Sequence, residues 1–365
     1  MSAPPPLAPP LLAWFAQEGR HDLPWKSPSS PYRIWLSEIM LQQTQVQTVK
    51  PYFARFIEAF PTLQDLAAAP LDAVLSLWSG LGYYARARNL HRCAQTILHE
   101  HGGIFPEDPA VLVTLPGIGP STANAIAAQA FNVRAPILDG NVKRVLARYF
   151  AVDGWPGSPA VASTLWALAD QETPAAAPAD YTQAIMDLGA LLCRRRPDCA
   201  RCPVQAGCES FRTGTVGERP APRPRKDRPL RRRFFLLAFD GEGALFLKPR
   251  PPEGLWGGLL SLPEFEALEE LNAVLAAEGL PPGANAWTQD APFEHGFTHF
   301  RLEITPVHVH LTGPGEAGAF YAAERWPTLP LPAPVKRYLR GLSERSTTDG
   351  ENGVLPLFPE NPGRS

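Results

Sequence analysis

The stretch CRRRPDCARCPVQAGC, residues 193–208, holds four of the five cysteines in this 365-residue chain. Thiols this close together predict a metal or cluster site, because the alternative, two disulfides, requires an oxidising compartment. The first residues, MSAPPPLAPP, lack the basic and apolar segments of a secretory signal. Four thiolates suit tetrahedral zinc or an iron–sulfur cluster. Zinc ribbons usually pair two CxxC knuckles, whereas here only Cys199 and Cys202 form one, and Cys193 and Cys208 stand five residues further out on either side. This asymmetry favours a [4Fe-4S] cluster over zinc.

Charge is distributed unevenly along the chain. The formal net charge is −2, so the overall balance does not indicate a nucleic-acid partner. Three arginines, residues 194–196, lie inside the cysteine loop, and a loop fixed by metal ligands would hold them rigidly against phosphates. A second basic run, residues 219–233, holds eight basic residues and one acidic residue and is more typical of a solvated linker. No apolar stretch is long enough to predict a membrane span.

The chain length predicts two domains. Residues 1–10 are rich in proline and are expected to be disordered. Residues 11–213 show repeated helical periodicity interrupted by short Gly/Pro breaks, which predicts an all-α domain. Residues 214–232 are rich in proline and arginine and predict a linker. Residues 233–343 hold the strand-like runs RFFLLAFD, ALFLKPR and HFRLEITPVHVHL and the helical run FEALEELNAVLAAEGL, which predict an α+β domain. The tail, 344–365, is expected to be loose.

A second informative stretch is LPGIGPSTANAIAAQAF, residues 115–131. Gly117 and Gly119 allow a sharp turn between two helical segments and a close approach of the backbone to a ligand. The helix that follows begins near Ser121 and presents free backbone amides, which suit a phosphate group. This pattern predicts a helix-hairpin-helix that grips a DNA backbone without reading its sequence. An ordinary turn between two helices would have the same composition.

Several further motifs extend along the chain between Leu11 and Leu342. They are LPW (23–25), WLSEIMLQQTQV (35–46), LWSGLGYYARARNLH (77–91), LPGIGPSTA (115–123), LDGNVKRVLAR (138–148), MDLGA (186–190), the cysteine set, GLWGGL (254–259) and FTHF (297–300). With these motifs the chain resembles the adenine DNA glycosylases of the MutY type, within the helix-hairpin-helix endonuclease III superfamily. The resemblance implies an all-α helix-hairpin-helix DNA glycosylase domain with a [4Fe-4S] cluster loop, followed by a C-terminal α+β Nudix-like domain.

Two acidic residues are the catalytic candidates. Glu38 has apolar neighbours, which disfavour its charged form and raise its pKa, as a general acid near neutral pH requires. In the family the matching glutamate protonates N7 of the flipped adenine. Without the motif, a solvent-facing helix glutamate would be the simpler interpretation. Asp139 precedes a helix that begins near Asn141, where a carboxylate is also a common helix partner. In the family the matching aspartate stabilises the cationic sugar, and Asn141 is expected to help position the site.

Ser121 distinguishes between two types of reaction. Related enzymes that also cut the DNA strand have a lysine at this position of the hairpin, and its amine attacks the sugar to form a Schiff base. Serine lacks that chemistry, so the resemblance implies a monofunctional glycosylase that leaves an abasic site. Gln43 and Tyr83 are expected to enter the base stack when adenine is flipped out, whereas Tyr84 is expected in the core.

The C-terminal domain resembles the Nudix fold, but its helical run lacks the REXXEEXGX glutamate cluster that a hydrolase of that fold needs for divalent metal. It is therefore interpreted as a recognition module. In the family a Phe-Ser-His loop contacts 8-oxoguanine, and the matching residues here are Phe297, Thr298 and His299. Two features depart from the family pattern. Threonine replaces serine in this loop, and the first cysteine spacing is five residues instead of six.

The resemblance implies an enzyme that excises adenine paired with 8-oxoguanine or guanine in double-stranded DNA. It is expected to act as a monomer without membrane contact. The thiolate ligands and the missing signal predict a cytoplasmic location, in a bacterium whose GC-rich genome the composition suggests. Two alternatives stay open: a bifunctional glycosylase/lyase of the endonuclease III kind, and a catalytically silent protein that binds DNA lesions.

Overall fold

The computed structural model describes residues 4–224, 227–251, 254–280, 287–297, 299–311 and 319–350, without the side chains of 346–350. The chain divides into two compact units between Arg225 and Lys226, a boundary that falls inside the predicted linker. None of the helices in the described ranges is both long and apolar enough to cross a membrane.

The N-terminal unit is helical, as the periodicity predicted. Among the described residues its helices are α1 (Ala8–Glu18), α2 (Pro31–Leu41), α3 (Val46–Ala59), α4 (Leu63–Ala68), α5 (Leu71–Trp78), α6 (Tyr84–Glu100), α7 (Pro109–Leu112), α8 (Pro120–Phe131), α9 (Gly140–Tyr149), α10 (Pro159–Glu172), α11 (Pro178–Leu191) and α12 (Glu209–Arg212). Local signals explain several boundaries. Ser30 caps α2 by accepting a hydrogen bond from the backbone amide of Arg33, and Pro31 occupies the first turn. Helix α8 ends at Asn132, which adopts the left-handed conformation that asparagine tolerates.

Two apolar clusters form the core of this unit. The first joins α2 to α8 and includes the fully buried Trp35 and Trp78. The second joins α1, α9, α10 and α11 and includes the fully buried Leu146 and Leu188. Helix α8 contributes to both, because Ile126 belongs to the first cluster and Ala125 to the second. Residues that project from α2 and from the start of α9 can therefore face each other where the two clusters adjoin.

Residues 1–10 were expected to be disordered, but the described part, residues 4–10, makes defined contacts, and residues 1–3 lie outside the described residues. Helix α1 begins at Ala8, and Leu7 is wholly buried. The backbone amide of Leu7 donates to Glu172 Oε2 at 2.7 Å, and the Tyr149 hydroxyl donates to the carbonyl of Pro5 at 2.8 Å. Composition suggested a free segment, but these contacts with distant residues hold it against the second cluster.

The C-terminal unit is an α+β fold, as predicted. In the described residues its strands are β1 (Leu230–Phe239), β2 (Leu245–Pro249), β3 (Leu260–Ser261), β4 (Glu264–Phe265), β5 (Trp287–Gln289), β6 (Phe293–Gly296), β7 (Arg301–His310) and β8 (Ala319–Tyr321). The main strand order is β3-β2-β1-β7-β5, with β4 paired to β1, β6 to β7 and β8 to β2. Strands β1 and β7 run parallel, with Leu230 opposite Arg301 and Phe239 opposite His310.

Helices α13 (Leu271–Ala277) and α14 (Ala333–Gly350) cover the two faces of this sheet. Successive residues of β1 point to opposite faces, so Leu237 packs with α14 and Leu236 packs with α13. Burial on both faces explains why this strand is a continuous apolar run in the sequence. The predicted helical run begins later than expected, because its first residue, Phe265, lies in β4 opposite Phe234.

Parts of the predicted linker and tail also form defined structure, while residues 225–226 of the linker and 351–365 of the tail lie outside the described residues. Arg148 Nε donates to the carbonyls of Val216 and Arg219 at 3.1 and 2.9 Å, so the first part of 214–232 is attached to the helical unit. Strand β1 begins at Leu230, within the same predicted linker. Helix α14 continues to Gly350 and therefore includes the first residues of the predicted loose tail. The composition of residues 214–232 is rich in proline and arginine in both cases, so it does not distinguish segments that bind the folded units from a solvated linker.

Candidate active site

Glu38 lies on α2, in a segment that is otherwise turned into the core. Its neighbours Leu36, Ile39 and Met40 are buried, while Glu38 itself keeps partial solvent access. Loss of hydration raises the pKa of its carboxyl group to about 7. The amide Nε2 of Gln129 donates to Glu38 Oε1 at 2.8 Å. A carboxyl group with a pKa near neutral pH is suited to general acid catalysis.

Charged groups around Glu38 act in opposite directions. The negative charge of Asp139 raises the pKa of Glu38 further, whereas the positive charge of Lys26 and the Gln129 hydrogen bond lower it. Lys26 is itself partly buried, and desolvation lowers its pKa. The structure thus brings together the two carboxyl groups that the sequence analysis selected, although they lie on different helices.

Asp139 is the N-terminal cap of α9. Its Oδ1 accepts hydrogen bonds from the backbone amides of Asn141 at 3.0 Å and Val142 at 2.8 Å, and the Asn141 side chain donates to Oδ2 at 3.3 Å. Burial raises the pKa of Asp139, while these amide donors oppose the rise by favouring the carboxylate. Asp139 is therefore both a helix cap and a site carboxylate, so the two interpretations of the sequence are compatible.

The predicted hairpin lies between α7 and α8. Gly117 has φ +79°, a backbone conformation that larger residues rarely adopt. A Cβ there would also stand 2.8 Å from Asn89 Cβ, so both the backbone and the available space favour glycine. Gly119 caps α8, and no atom lies within 4 Å of where its Cβ would be, which leaves room for a ligand at this helix end. Ser121 Oγ accepts from the backbone amide of Leu138 at 3.0 Å. This serine therefore connects the hairpin helix to the segment that leads into Asp139.

Gln43 and Tyr83, the predicted intercalating residues, both have left-handed backbone conformations, with φ of 58° and 52°. Both are exposed, Tyr83 at 60% of its surface, whereas Tyr84 is partly buried. Arg86, which is buried, binds the backbone on both sides of the site. Its guanidinium donates to the carbonyls of Ile39, Met40, Gln42, Leu81 and Gly82 and to Thr44 Oγ1, at 2.6 to 3.4 Å.

The four cysteines of the loop line a single cavity whose walls include Val145, Tyr149, Leu188, Leu192, Val204 and Phe211. In the described residues, no group of three or more His, Cys, Asp or Glu side chains is arranged to hold a metal ion. The donor set suits an iron–sulfur cluster, since four thiols face one largely apolar space. The cluster assignment therefore rests on the identity and convergence of the cysteines.

Two arginines of α9 bind the cysteine loop. Arg148 donates to Cys193 Sγ at 3.4 Å and to the carbonyl of Arg194 at 2.6 Å. Arg144 donates to the carbonyl of Cys193 at 2.6 Å and to the side chain of Asn141 at 2.8 Å. The helix that Asp139 caps is thus also the helix that holds the cysteine loop.

Four residues of this region were not predicted from the sequence: Gln129, Arg144, Arg148 and Asp187. Asp187 has no exposed side-chain surface and forms an ion pair with Arg20 at 2.6 Å. All four lie within the motifs at residues 115–131, 138–148 and 186–190. Each has a hydrogen-bond or ion-pair partner that is distant along the chain, which the sequence does not reveal. A charged residue within an otherwise buried helical segment, as in MDLGA, was the one available signal for Asp187.

In the C-terminal unit, Phe297 and His299 lie at the turn of the hairpin formed by β6 and β7. The Phe297 ring stacks on Phe300 with centroids 4.6 Å apart and contacts Trp256 with centroids 5.4 Å apart, while His299 is exposed. Thr298 lies outside the described residues. The hairpin therefore presents one anchored aromatic residue and one accessible imidazole.

Comparison with known proteins agrees with this architecture. Residues 36–171 match the HhH-GPD superfamily of base excision DNA repair proteins, and residues 234–341 match the NUDIX domain. An adenine DNA glycosylase of Buchnera aphidicola subsp. Baizongia pistaciae is 33% identical over 344 residues, covering 92% of this chain and 97% of that protein. One from Mus musculus is 45% identical over 218 residues, covering 57% of this chain and 42% of that protein. The solved structure of a thermostable thymine-DNA glycosylase aligns with TM-score 0.49 and 26% identity, covering 56% of this chain and 94% of that chain.

The helical fold with its hairpin defines a DNA glycosylase of base excision repair. A Nudix-like domain follows it in the same chain. The chain belongs to the adenine DNA glycosylase family, whose members act in base excision repair.

Proposed function

We propose that this adenine glycosylase excises adenine paired with 8-oxoguanine or guanine, and that it is monofunctional and leaves an abasic site. The observation that supports the proposal most strongly is the Glu38 carboxyl group, whose pKa is raised to about 7 by burial beside Asp139. A carboxylic acid that is still partly protonated at neutral pH is suited to protonate a leaving base.

In the proposed mechanism, Glu38 transfers its proton to N7 of the flipped adenine. The bond between C1′ of the deoxyribose and N9 then breaks, and the bonding electrons leave with the protonated base. Asp139 stabilises the positive charge that develops on the sugar. The backbone amides of Asn141 and Val142 hold Asp139 Oδ1 in place. Water then adds to C1′ and releases a proton to the site, which restores the acid.

The monofunctional assignment follows from Ser121. Its hydroxyl accepts a hydrogen bond from Leu138, and a serine hydroxyl has no amine with which to form a Schiff base. The abasic product would therefore leave with its strand intact.

We assign the DNA contacts to three surfaces. The hairpin at Gly117 and Gly119, followed by the N-terminus of α8, is suited to a phosphate of double-stranded DNA. Gln43 and Tyr83 are exposed and are suited to fill the base stack while adenine is extrahelical. The loop formed by residues 297–299 is assigned to the 8-oxoguanine base.

We further propose that Cys193, Cys199, Cys202 and Cys208 hold a [4Fe-4S] cluster, a group that proteins of the endonuclease III fold generally contain. When bound, the cluster would crosslink the loop that contains Arg194–Arg196, and these arginines would then face DNA phosphates. Thiolate ligands require a reducing compartment, which supports a cytoplasmic location.

The test is single-turnover cleavage of a duplex with adenine opposite 8-oxoguanine, with adenine opposite guanine and adenine opposite thymine as comparisons. Each reaction is analysed with and without alkali. We expect strand breaks only after alkali, fast with 8-oxoguanine and absent with thymine, and we expect Glu38→Gln to reduce the rate by about 10²-fold or more. Breaks without alkali would identify a lyase, and tight binding without any product would identify a silent lesion-binding protein.

A further inference from the structure

We propose that Gln129 is a positioning residue for excision: its amide fixes which oxygen of the Glu38 carboxyl group delivers the proton to adenine. This inference rests on the proposed role of Glu38. The contact joins α8 to α2 across 91 residues of sequence, with Gln129 Nε2 at 2.8 Å from Glu38 Oε1.

Both helices are held firmly, so the contact is a built part of the site. Trp35 and Met40 of α2 and Ile126 of α8 belong to the same buried cluster. Helix α8 is also tied near its start by the hydrogen bond between Ser121 Oγ and the backbone amide of Leu138. The backbones that carry the two side chains are therefore held in place relative to each other.

The direction of the hydrogen bond determines the position of the acidic proton. A protonated carboxyl group has one oxygen that only accepts and one that carries the hydrogen. Because the Gln129 amide donates to Oε1, that oxygen is the acceptor, and the proton resides on Oε2. Without the amide the two oxygens are equivalent, and the proton divides between a productive and an unproductive position.

The same hydrogen bond also affects the ionisation of Glu38. The charged groups that act on this carboxyl are Asp139 from the start of α9, which raises its pKa, and Lys26 from the segment before α2, which lowers it. The Gln129 amide acts in the same direction as Lys26, because it stabilises the carboxylate. Its loss is expected to raise the pKa of Glu38 above about 7.

Removing the amide is therefore expected to have two effects on the excision rate, and at high pH these effects act in opposite directions. Gln129→Met preserves side-chain length and volume but lacks the donor. Its maximal excision rate is expected to fall by about twofold or more, since the proton now divides between two oxygens. At the same time the alkaline limb of the rate profile is expected to move to higher pH, because the general acid stays protonated longer.

The experiment measures single-turnover excision of adenine opposite 8-oxoguanine as a function of pH for the parent chain, Gln129→Met and Gln129→Asn. Gln129→Asn keeps the amide on a shorter side chain and serves as the milder variant if Gln129→Met folds poorly. Gln171→Met is the matched control, because Gln171 also donates to a glutamate, Glu172, at 3.1 Å, but outside the site. Affinity for the duplex is measured in parallel.

We expect Gln129→Met to show the lowered maximum and the shifted alkaline limb with unchanged DNA affinity, Gln129→Asn to show the same changes to a smaller extent, and the control to match the parent. A reduced rate with an unshifted limb, or a loss of rate that parallels a loss of affinity, would overturn the inference and leave Gln129 with a packing role. If Glu38→Gln keeps the parental rate, the proposed role of Glu38 fails first, and that outcome is distinguishable from failure of Gln129 alone.

Discussion

Replacing Arg86 by lysine is expected to destabilise the protein and to disturb base flipping. The arginine satisfies six acceptors, five of which are backbone carbonyls, from a position that is only 9% exposed. The six contacts are shared among the four N–H groups of the two terminal guanidinium nitrogens. Lysine has three N–H groups on a single nitrogen, so at least one donor is lost. An unsatisfied buried acceptor costs about 1–3 kcal/mol. The free energy of unfolding is therefore expected to fall by about 1–3 kcal/mol.

The functional effect follows from which carbonyls are released. Arg86 binds the carbonyl of Gln42, which precedes Gln43, and the carbonyl of Gly82, which precedes Tyr83. Both following residues are left-handed, a conformation that costs a non-glycine residue about 1 kcal/mol or more. Without the guanidinium, the fraction of molecules in which Gln43 or Tyr83 has left the left-handed conformation is expected to rise about fivefold. A free-energy difference of about 1 kcal/mol corresponds to a factor of about five in population.

The assay combines urea unfolding with 2-aminopurine fluorescence in a duplex that carries the probe at the target position. Arg33→Lys is the control, because Arg33 donates to one carbonyl, that of Pro24, where Arg86 donates to five. We expect Arg86→Lys to unfold at lower urea and to give a weaker flipping signal under conditions where it is still folded. An unfolding free energy within about 1 kcal/mol of the control, together with a parental fluorescence signal, would show that the Arg86 hydrogen bonds do not hold these two segments.

Three further outcomes are expected. Gly189→Ala places a Cβ 2.6 Å from Asn141 Cβ, so it should cost about 1–3 kcal/mol of stability and slow excision, as chemical denaturation and single-turnover rates will show. Glu38 has a folded-state pKa of about 7 against 4.5 when unfolded, so its contribution to stability is fully present below pH 4.5 and is lost as pH rises through 7. Glu38→Gln should remove this loss: between pH 4.5 and pH 8 its free energy of unfolding should rise by up to about 3 kcal/mol relative to that of the parent. The same pH dependence of urea unfolding in both proteins would contradict this prediction. Cys202→Ser should abolish the visible absorption of an iron–sulfur cluster, whereas Cys93→Ser, outside the loop, should retain it.

The order of elements could be predicted from the sequence, because each depends on local periodicity. The helical character of α2 and α8, the turn at Gly117 and the two-sided burial of β1 follow from spacings within about a dozen residues. The grouping of the four cysteines could also be predicted, since they stand close together in the sequence, and in the structure they line one cavity.

Local pattern failed where distant partners decide the outcome. Composition predicts a free proline-rich start, but the backbone amide of Leu7 donates to Glu172. It also predicts a solvated basic segment, but Arg148 donates to the carbonyls of Val216 and Arg219. Composition describes what a segment prefers in water, and it contains no information about an acceptor that another helix supplies.

The identities of Glu38 and Asp139 were likewise available from the motifs, but their chemistry was not. Only tertiary packing places Gln129 against Glu38 and removes water from that carboxyl group, and a pKa of about 7 follows from this burial. The residue types and the helices and strands of this protein therefore follow from local sequence. Which of them share one desolvated site follows from the packing of the folded chain, because desolvation and hydrogen bonding depend on contacts between residues that are far apart in the sequence.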